Sequence, residues 1–416
     1  MRRFEADVLI PGRGEPITDG VLIVDGDTIR YAGPRQEAPD PDGVAPVRVG
    51  TLMPGLWDSH THLLGGPPGV FDYAALFTQS PALRAARSTR GLRAAVAAGV
   101  TSIRELGGLG LHLATAVEEG LLGPNIHAAG SVLSVTGGHA DAHNLPLPWV
   151  RDAGERGADF RMADGPDDCA RAVREQLRRN AKVIKVCASG GVMSVIDDPI
   201  HQQFTDQELR TIVEVAALAQ RSVAAHCHGK PGIMAALAAG VLTIEHGTYL
   251  DEEACQAMRE AGAILVPTFT IIHEMRDHPA LSPEVTAKMA AVARIHQENI
   301  TRAHEAGVKI AMGSDLGASG DGPASWGRNG RELALLAGIG MTPQQVIEAA
   351  TANGPDTLGA QAPRSGQLRA GYDADLLVVD GNPLADVSLL ADPARITEVW
   401  KAGVALKRDG RLLDAA

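Results

Sequence analysis

The feature that most constrains the fold is an alternation of short apolar runs with longer helical stretches between residues 53 and 364. Eight runs have the length and apolar character of buried strands, and they cover residues 52–60, 100–106, 126–133, 182–188, 222–226, 241–246, 263–267 and 309–315. Alanine-rich segments with helical periodicity lie between them, at residues 84–98, 167–180, 205–220, 232–239, 252–261 and 285–306. Strands that alternate with helices are parallel. Eight repeats over roughly 310 residues predict a closed (β/α)8 TIM barrel, with a doubly wound sheet as the alternative.

The two ends of the chain differ from this central region because both are rich in short strands. Apolar runs bounded by glycine-containing turns occur at residues 6–10, 19–24, 374–379 and 396–400. Neither end is large enough to bury a core alone, so we expect the two ends to pair. The predicted class is α/β, with a small β-sandwich domain made of residues 1–52 and 365–416 beside a barrel of residues 53–364.

The composition argues against several other classes of protein. The 38 Lys and Arg residues against 50 Asp and Glu leave a net charge of −12, and aromatic residues are only 3% of the 416 residues. Neither the charge nor the scarcity of stacking side chains suits a nucleic-acid partner. No apolar run is long enough to span a membrane, and residues 4–7 interrupt any signal-peptide pattern. We therefore expect neither a transmembrane helix nor a signal peptide. Four cysteines without a Cys-x-x-Cys pair predict reduced thiols and a cytoplasmic protein.

Side chains that can bind metals fall at the ends of the predicted strands, where the catalytic residues of a barrel lie. The first strand ends in His60 and His62, the fourth carries Lys185, the fifth ends in His226 and His228, the sixth in His246 and the eighth in Asp315, while the loop after the third carries His139. Residues i and i+2 of a strand face the same side, so His60 and His62 can share one metal. Imidazole and carboxylate ligands suit zinc, with other first-row divalent ions possible.

Simpler roles stay open for these residues at this point. Asp315 could cap the following helix, and Lys185 could extend its amine towards solvent. The histidines could be buried core or loop residues that have found hydrogen-bond partners. The remaining eight histidines are interpreted as surface or packing residues: His112, His127, His143, His201, His273, His278, His296 and His304.

The set of residues, in this order, resembles the amidohydrolase superfamily of metal-dependent hydrolases. The resemblance is carried by residues 53–62, Lys185, His226, His246 and Asp315, and by the C-terminal stretch 366–376, so that it covers essentially the whole chain. Further segments resemble the prolidase-like and Xaa-Arg dipeptidase-like carboxypeptidase branch, and they are residues 137–139, 184–186, 189–191, 226–229, 232–233 and 244–247.

The resemblance implies a binuclear metal centre with two divalent ions, for which zinc is the expected metal. The implied ligands are His60, His62 and Asp315 for one ion, His226 and His246 for the other, and Lys185, as a carbamate derived from carbon dioxide, between the two. A plain ammonium could not bind a cation, whereas a carbamate carries negative charge and two oxygens.

The resemblance also implies a mechanism. A hydroxide that bridges the metals would attack the scissile carbonyl. Asp315 would accept its proton and later deliver one to the leaving amine. His228 faces the same side as His226 and is the candidate for steadying the oxyanion, and His139 is the candidate for a further substrate contact.

The implied activity is hydrolysis of an amide bond, by a dipeptidase or carboxypeptidase that acts on dipeptides or N-acyl amino acids. The carboxylate of such a substrate needs a cation, and Arg104, Lys230 and Arg328 lie near predicted strand ends or loops. The sequence does not indicate which of these three side chains would bind the carboxylate.

Other functions stay open. The same metal site serves hydrolysis of xenobiotic amides, carbamates, lactones and organophosphates elsewhere in the superfamily, and the fold does not fix the substrate. A deaminase would usually lack the lysine on the fourth strand, and a non-catalytic binding protein would have no need of all six ligands. The expected partners are a small-molecule substrate and further copies of the chain in a homo-oligomer, with no nucleic acid and no membrane.

Overall fold

The computed structural model describes residues 1–41, 43–67, 73–276, 278–279, 281–318, 320, 322 and 324–413. The strands in these residues are β1 (Arg2–Leu9), β2 (Ile17–Asp25), β3 (Thr28–Pro34), β4 (Pro46–Pro54), β5 (Leu56–Leu63), β6 (Val100–Gly108), β7 (Asn125–Ala128), β8 (Val132–Ser134), β9 (Phe160–Met162), β10 (Val183–Cys187), β11 (Ser222–Cys227), β12 (Thr243–His246), β13 (Ile264–Val266), β14 (Lys309–Ile310), β15 (Leu376–Val379), β16 (Ile396–Lys401), β17 (Val404–Arg408) and β18 (Arg411–Leu412).

The helices follow the central strands, as the alternating pattern predicts. They are α1 (Tyr73–Thr78), α2 (Pro81–Ala97), α3 (Gly110–Glu118), α4 (Leu147–Glu155), α5 (Pro166–Arg178), α6 (Asp206–Ala217), α7 (Lys230–Ala239), α8 (Glu252–Ala261), α9 (Phe269–Met275), α10 (Pro283–Glu305), α11 (Arg331–Ala337), α12 (Pro343–Ala349) and α13 (Asn353–Asp356). Among the described residues, no helix combines the length and the apolar character that crossing a membrane requires.

The central strands are parallel and form two sheets. One sheet has the order β5-β6-β7, and the other has the order β14-β13-β12-β11-β10-β8-β9. Backbone hydrogen bonds join the two sheets at both sides: Lys182 N–H donates to Ala128 O at 2.8 Å, and Ser59 N–H donates to Met312 O at 2.8 Å. The predicted α/β class with a parallel sheet is therefore confirmed.

Two predicted strands are less regular than their apolar runs suggest. The run at 126–133 forms two short strands, β7 and β8, because the intervening Gly130 adopts a φ of 78° that strands do not accommodate. The run at 309–315 is regular only in β14, but its continuation stays beside β5, since Asp315 N–H donates to His60 O at 2.7 Å. Apolar runs locate strands well and their ends poorly.

The two ends of the chain form one eight-stranded sheet with the order β18-β17-β16-β15-β4-β1-β2-β3. Strand β4 joins the two halves, because it pairs in parallel with β1 and antiparallel with β15. The expected pairing of the two ends is thus present, as one continuous ladder. The domain boundaries and the two-layered sandwich stay predictions.

The inner face of this sheet packs on the parallel strands and on α2. Ile396 and Leu377 belong to the same buried apolar cluster as Val96 and Val100. Gly99 connects α2 to β6 with a φ of 82°, and a Cβ at this position would lie 2.8 Å from Ile396 Cδ1. The close approach of β16 to the connection between α2 and β6 therefore depends on glycine at position 99.

Asp375 lies in this junction, directly before β15. Its carboxylate accepts hydrogen bonds from the Asn125 side chain at 3.0 Å and from the backbone N–H of Ala402 at 2.7 Å. Burial raises the pKa of Asp375 to about 7.

We expect Asp375→Asn to stabilise the protein at pH 8 and to have little effect near pH 4. The folded-state pKa of Asp375 lies above the unfolded value of about 3.9, so its ionisation disfavours folding, and stability is lost as the pH rises from about 4 through 7. Asparagine is neutral throughout this window. Thermal unfolding of both proteins at the two pH values measures the effect, and a variant that melts below the wild type at pH 8 would contradict it.

Candidate metal centre

All eight residues singled out in the sequence line one pocket at the carboxyl ends of the parallel strands. These are His60, His62, His139, Lys185, His226, His228, His246 and Asp315. They come from β5, β10, β11 and β12 and from the segments that follow β8, β11 and β14. Because the carboxyl ends of parallel strands meet at one side, residues separated by more than 250 positions become neighbours.

The side chains lie close enough to share metal ions. Ligand atoms of His60, His246 and Asp315 lie within 4.8 Å of one another, and those of His226, His228 and His246 do so as well. His246 belongs to both groups, so that the two possible ion positions adjoin. This His-rich cluster is a potential metal site, and its imidazole and carboxylate groups fit divalent ions such as zinc.

Three residues around this cluster adopt a left-handed backbone conformation. His246 has a φ of 71°, Asp315 of 57° and Thr268 of 56°. This conformation is costly for residues other than glycine and tends to occur at functional sites. Thr268 also lies 2.7 Å from His246 Nδ1 through its hydroxyl. The backbone is therefore strained where these side chains meet.

In three histidines of the cluster, one ring nitrogen is hydrogen-bonded to an oxygen of the protein. His60 Nδ1 lies 2.8 Å from Glu245 Oε2, while His62 Nδ1 and His226 Nε2 lie 2.9 Å and 3.2 Å from backbone carbonyls. Carboxylate and carbonyl oxygens only accept, so the bound nitrogen carries the hydrogen. In His60 and His226, which burial keeps neutral, the other nitrogen keeps its lone pair, which is the form that binds a metal, whereas Nε2 of His62 faces Asp315 at 3.2 Å.

Burial keeps most of these imidazoles neutral. It lowers the pKa of His60 to about 4 and the pKa values of His226 and His246 well below the ordinary value. Burial also lowers the pKa of His62, but the hydrogen bond to Asp315 and the charge of that carboxylate together outweigh burial, and the net pKa is raised. Burial would raise the pKa of Asp315, yet the neighbouring His60 and His62 hold it below its usual range. Neutral imidazoles and an ionised carboxylate are the forms that metal binding requires.

Lys185 is the unusual member of the cluster. Its side chain is buried, and Nζ has no hydrogen-bond partner among the described residues. Burial lowers the pKa of the amine. A buried amine without a partner costs roughly 1–3 kcal/mol, so the folded chain keeps Lys185 in this place at an energetic cost.

His228 is held by a chain of hydrogen bonds that fixes its hydrogen. His296 Nε2 donates to Pro267 O at 2.9 Å, and burial lowers the pKa of His296 to about 4, so the Nδ1 of this neutral ring accepts. The Thr248 hydroxyl lies 3.1 Å from that Nδ1 and must donate to it. Its oxygen then accepts from His228 Nδ1 at 2.8 Å. Neutral His228 therefore presents an unprotonated Nε2, and the predicted contact with an oxyanion would require the charged ring.

His139 is fixed between two loops. A Cβ at Gly191 would lie 2.1 Å from its ring, so that only glycine leaves room for the ring. His139 Nδ1 lies 2.9 Å from the Ser194 hydroxyl, which itself donates to Asp197. Lys288 on α10 donates to the backbone carbonyls of residues 191, 194 and 197. The glycine-rich segment thus brings the backbone close to the site, since Gly190 O lies 3.2 Å from His226 Nε2.

The three cations proposed for a substrate carboxylate do not line this pocket. Arg104 is fully buried and bound to Glu245 at 2.7 Å. Lys230 forms ion pairs with two acidic residues of the α8 region, and Arg328 pairs with Glu274 at 2.6 Å. For Arg104 the physical reason is that a strand position predicts an inward-pointing side chain, and does not reveal which buried partner already neutralises it.

The sequence did not indicate how apolar the rest of the pocket is. Its other described lining residues are Leu64, Val132, Ala140, Phe160, Cys187, Val192, Met193, Ile271, Ile272, Met275 and Met289. They come from β8, β9, β10, α9 and α10 and from the loops that follow β5, β8 and β10. These residues form a continuous apolar wall of the pocket only in the folded chain, and such a wall suits an apolar group of a ligand.

Comparison with known proteins identifies the family. The match to the family described as the amidohydrolase family covers residues 51–406. The chain belongs to the amidohydrolase family. Ochratoxinase from Aspergillus niger is 41% identical over 420 residues, which are 97% of this chain and 86% of that protein. The predicted superfamily and the prediction of a hydrolase are therefore confirmed.

Solved structures of amidohydrolases agree with this assignment. The crystal structure of A. niger ochratoxinase has a TM-score of 0.92 at 40% identity and covers 100% of this chain and 98% of that chain. A prolidase complexed with N-methylphosphonate-L-proline has a TM-score of 0.89 at 33% identity, covering 98% and 99%. A Xaa-Pro dipeptidase with bound methionine has a TM-score of 0.84 at 30% identity, with the same coverage.

Proposed function

We propose that this amidohydrolase cleaves the amide bond of dipeptides or N-acyl amino acids with apolar groups at a binuclear zinc centre. The ions would be held by His60, His62 and Asp315, by His226 and His246, and by a carbamate on Lys185 between them. The observation that carries the proposal is the buried, unpartnered Lys185 amine among side chains of ligand type. Bound divalent ions supply an acidified water molecule and polarise the scissile carbonyl.

The chemistry of Lys185 supports the carbamate. An ammonium at this position would repel cations, whereas the lowered pKa favours the free amine. The free amine would attack the carbon of carbon dioxide: the N–C bond forms as the π electron pair of one C=O bond moves to oxygen, and the nitrogen releases one proton to solvent. The product carries a negative charge and two oxygens, which gives the buried group the partners that the amine lacks.

Asp315 is the residue suited to move the proton. Its carboxylate is partly exposed to the pocket and lies 3.2 Å from His62 Nε2 and 3.5 Å from His60 Nε2. In our proposal it accepts the proton of the attacking water and returns one to the leaving amine. The low pKa of Asp315 favours the ionised form that the first of these steps requires.

His228 and His139 are proposed to contact the substrate. In each neutral ring Nδ1 donates its hydrogen to a hydroxyl oxygen, that of Thr248 for His228 and that of Ser194 for His139. The Nε2 of each ring is therefore unprotonated. Each can therefore accept a hydrogen bond, for instance from a substrate N–H group. The apolar wall of the pocket favours hydrophobic groups on the substrate.

We propose that the central strands form a closed (β/α)8 barrel. The hydrogen bonds between β7 and the residue before β10, and between β5 and the segment after β14, support closure. The placement of every candidate ligand at a carboxyl end of a parallel strand is typical of such barrels.

A second candidate is hydrolysis of a non-peptide amide, carbamate, lactone or organophosphate. It is favoured by one observation: among the described residues, Lys185 is the only Lys or Arg side chain that lines the pocket. A substrate without a carboxylate would need no further cation.

A substrate panel separates the two candidates. It contains dipeptides and N-acyl amino acids with apolar or charged C-terminal residues, ochratoxin because of the similarity to ochratoxinase, and amides, carbamates, lactones and organophosphates without a carboxylate. Release of an apolar C-terminal residue supports the first candidate, and turnover only of substrates without a carboxylate overturns it. An Asp315→Asn preparation purified in parallel excludes a contaminating hydrolase.

We expect Lys288→Met to weaken substrate binding more than chemistry. Losing three hydrogen bonds to the loop would let Ser194 and Asp197 move away from His139. The expected result is a rise of KM by roughly tenfold with kcat changed by less than about threefold. Lys309→Met is the matched control, because Lys309 begins β14 at the opposite end of the strands. An unchanged KM would show that Lys288 does not support His139.

A further inference from the structure

A buried charged cluster lies directly behind His60. Glu245 precedes the candidate ligand His246 on β12, and its side chain has no exposed surface. Its Oε2 lies 2.8 Å from His60 Nδ1, and its Oε1 lies 2.7 Å from an Arg104 nitrogen. A carboxylate can only accept, so His60 donates through Nδ1 and directs its unprotonated Nε2 to the side of Asp315.

Arg104 holds both this carboxylate and the backbone beside His60. Its Nε donates to Ser59 O at 2.6 Å, and another nitrogen donates to the Thr243 hydroxyl at 2.9 Å. Thr243 in turn donates to Glu245. The cluster therefore connects β5, β6 and β12, and the Glu245 carboxylate, the Arg104 guanidinium and the Thr243 hydroxyl all have partners.

Folding alone does not account for such a cluster. Taking two charges out of water costs about as much as their attraction returns, and well-packed apolar residues are often as stabilising as a buried ion pair. An apolar cluster would, however, leave His60 Nδ1 without an acceptor. What the charged cluster provides, and an apolar cluster could not, is a fixed orientation of the His60 ring.

We propose that Glu245, held in place by Arg104, is a positioning residue that fixes the ring and the tautomer of His60 for metal binding. The inference rests on the proposed function, in which His60 is a metal ligand. Partners of this kind fix the orientation of a ligating imidazole and raise its basicity, and their removal typically lowers metal affinity by 10–100-fold. Arg104, which the sequence suggested for a substrate carboxylate, acts here through Glu245.

The test compares zinc binding by the wild type, Glu245→Gln and Glu332→Gln. Glutamine has nearly the same size as glutamate but presents an N–H group that can donate to Nδ1, so the ring loses its single preferred tautomer. Glu332 is a matched control, because it is equally buried and accepts from Phe269 and Thr270 without contacting a candidate ligand. Metal-free protein is titrated with Zn²⁺ in competition with a chromophoric chelator.

We expect Glu245→Gln to bind one of the two ions 10–100-fold more weakly, with kcat largely restored by excess zinc and with Glu332→Gln like the wild type. Two ions bound with wild-type affinity by Glu245→Gln would overturn the inference and leave the proposed function intact. A wild-type chain that binds no zinc would overturn the proposed function.

A second measurement covers the case in which Glu245→Gln does not fold. Nitrogen-15 spectra of the histidines in metal-free wild-type protein report which ring nitrogen of His60 carries the hydrogen. The inference predicts hydrogen on Nδ1. Hydrogen on Nε2 would overturn it, whatever the variant does.

Discussion

Replacing Asp315 by asparagine is expected to lower kcat by about 100- to 10,000-fold while the fold stays intact. Asparagine keeps an oxygen that can bind a metal, but it cannot accept a proton and return it. It also tolerates the left-handed conformation at this position, where φ is 57°. The backbone N–H of residue 315 would still donate to His60 O. Steady-state kinetics and a thermal melt measure the two parts of this prediction.

The control for Asp315→Asn is Asp380→Asn, which changes an exposed carboxylate paired with Arg395 in the sheet of the chain ends. It should have wild-type kinetics. Elemental analysis of the Asp315 variant completes the test. Turnover close to that of the wild type with full metal content would show that Asp315 is not the proton carrier.

Lys185→Met is expected to lower kcat by at least ~100-fold, because a centre that loses an ion loses several kcal/mol of transition-state stabilisation. The same substitution should stabilise the metal-free protein by about 1–3 kcal/mol, because it removes a buried amine without a partner. Methionine has a similar length and suits the apolar surroundings. These opposite effects distinguish a functional lysine from a structural one.

The matched control is Lys182→Met, three residues earlier on the same segment, where the amine donates to Asn180 at 3.1 Å. This variant should keep its activity and its metal. Denaturant unfolding of the metal-free proteins measures the stability effect. A Lys185→Met protein with full activity, or one less stable than the wild type when metal-free, would contradict the account.

The sequence was sufficient to predict the part of the fold that repeats. Apart from β9, the central strands lie in short apolar runs, and the ligand candidates stand in or just after these runs, so that position along the chain already implies a place in the pocket. The helix at 252–261 was predicted with its observed bounds, because Asp251 caps its start and Gly262 ends it in the left-handed conformation.

The parts that the sequence did not reveal depend on contacts between distant segments. Strand β9 and helix α4 lie in an insertion between β8 and α5, and the three residues of β9 are too few to show a period. His296 was interpreted as a surface or packing residue, yet it orients Thr248 behind His228. Nothing local to α10 indicates this partner.

The pairing of Arg104 with Glu245 illustrates the same limit. The two residues are 141 positions apart and become neighbours only because their strands both face the interior. The sequence identified Arg104 as a cation near a predicted strand end, and only the folded structure shows that it forms an internal ion pair.

The most direct test of the account is the metal content per chain, measured by elemental analysis on protein purified without chelator and assayed in the same sample with dipeptides and N-acyl amino acids. The account predicts about two zinc-class ions per chain, together with release of the C-terminal residue. One ion or none, unchanged by added bicarbonate and zinc, would mean that Lys185 is not a bridging carbamate and would contradict the binuclear centre.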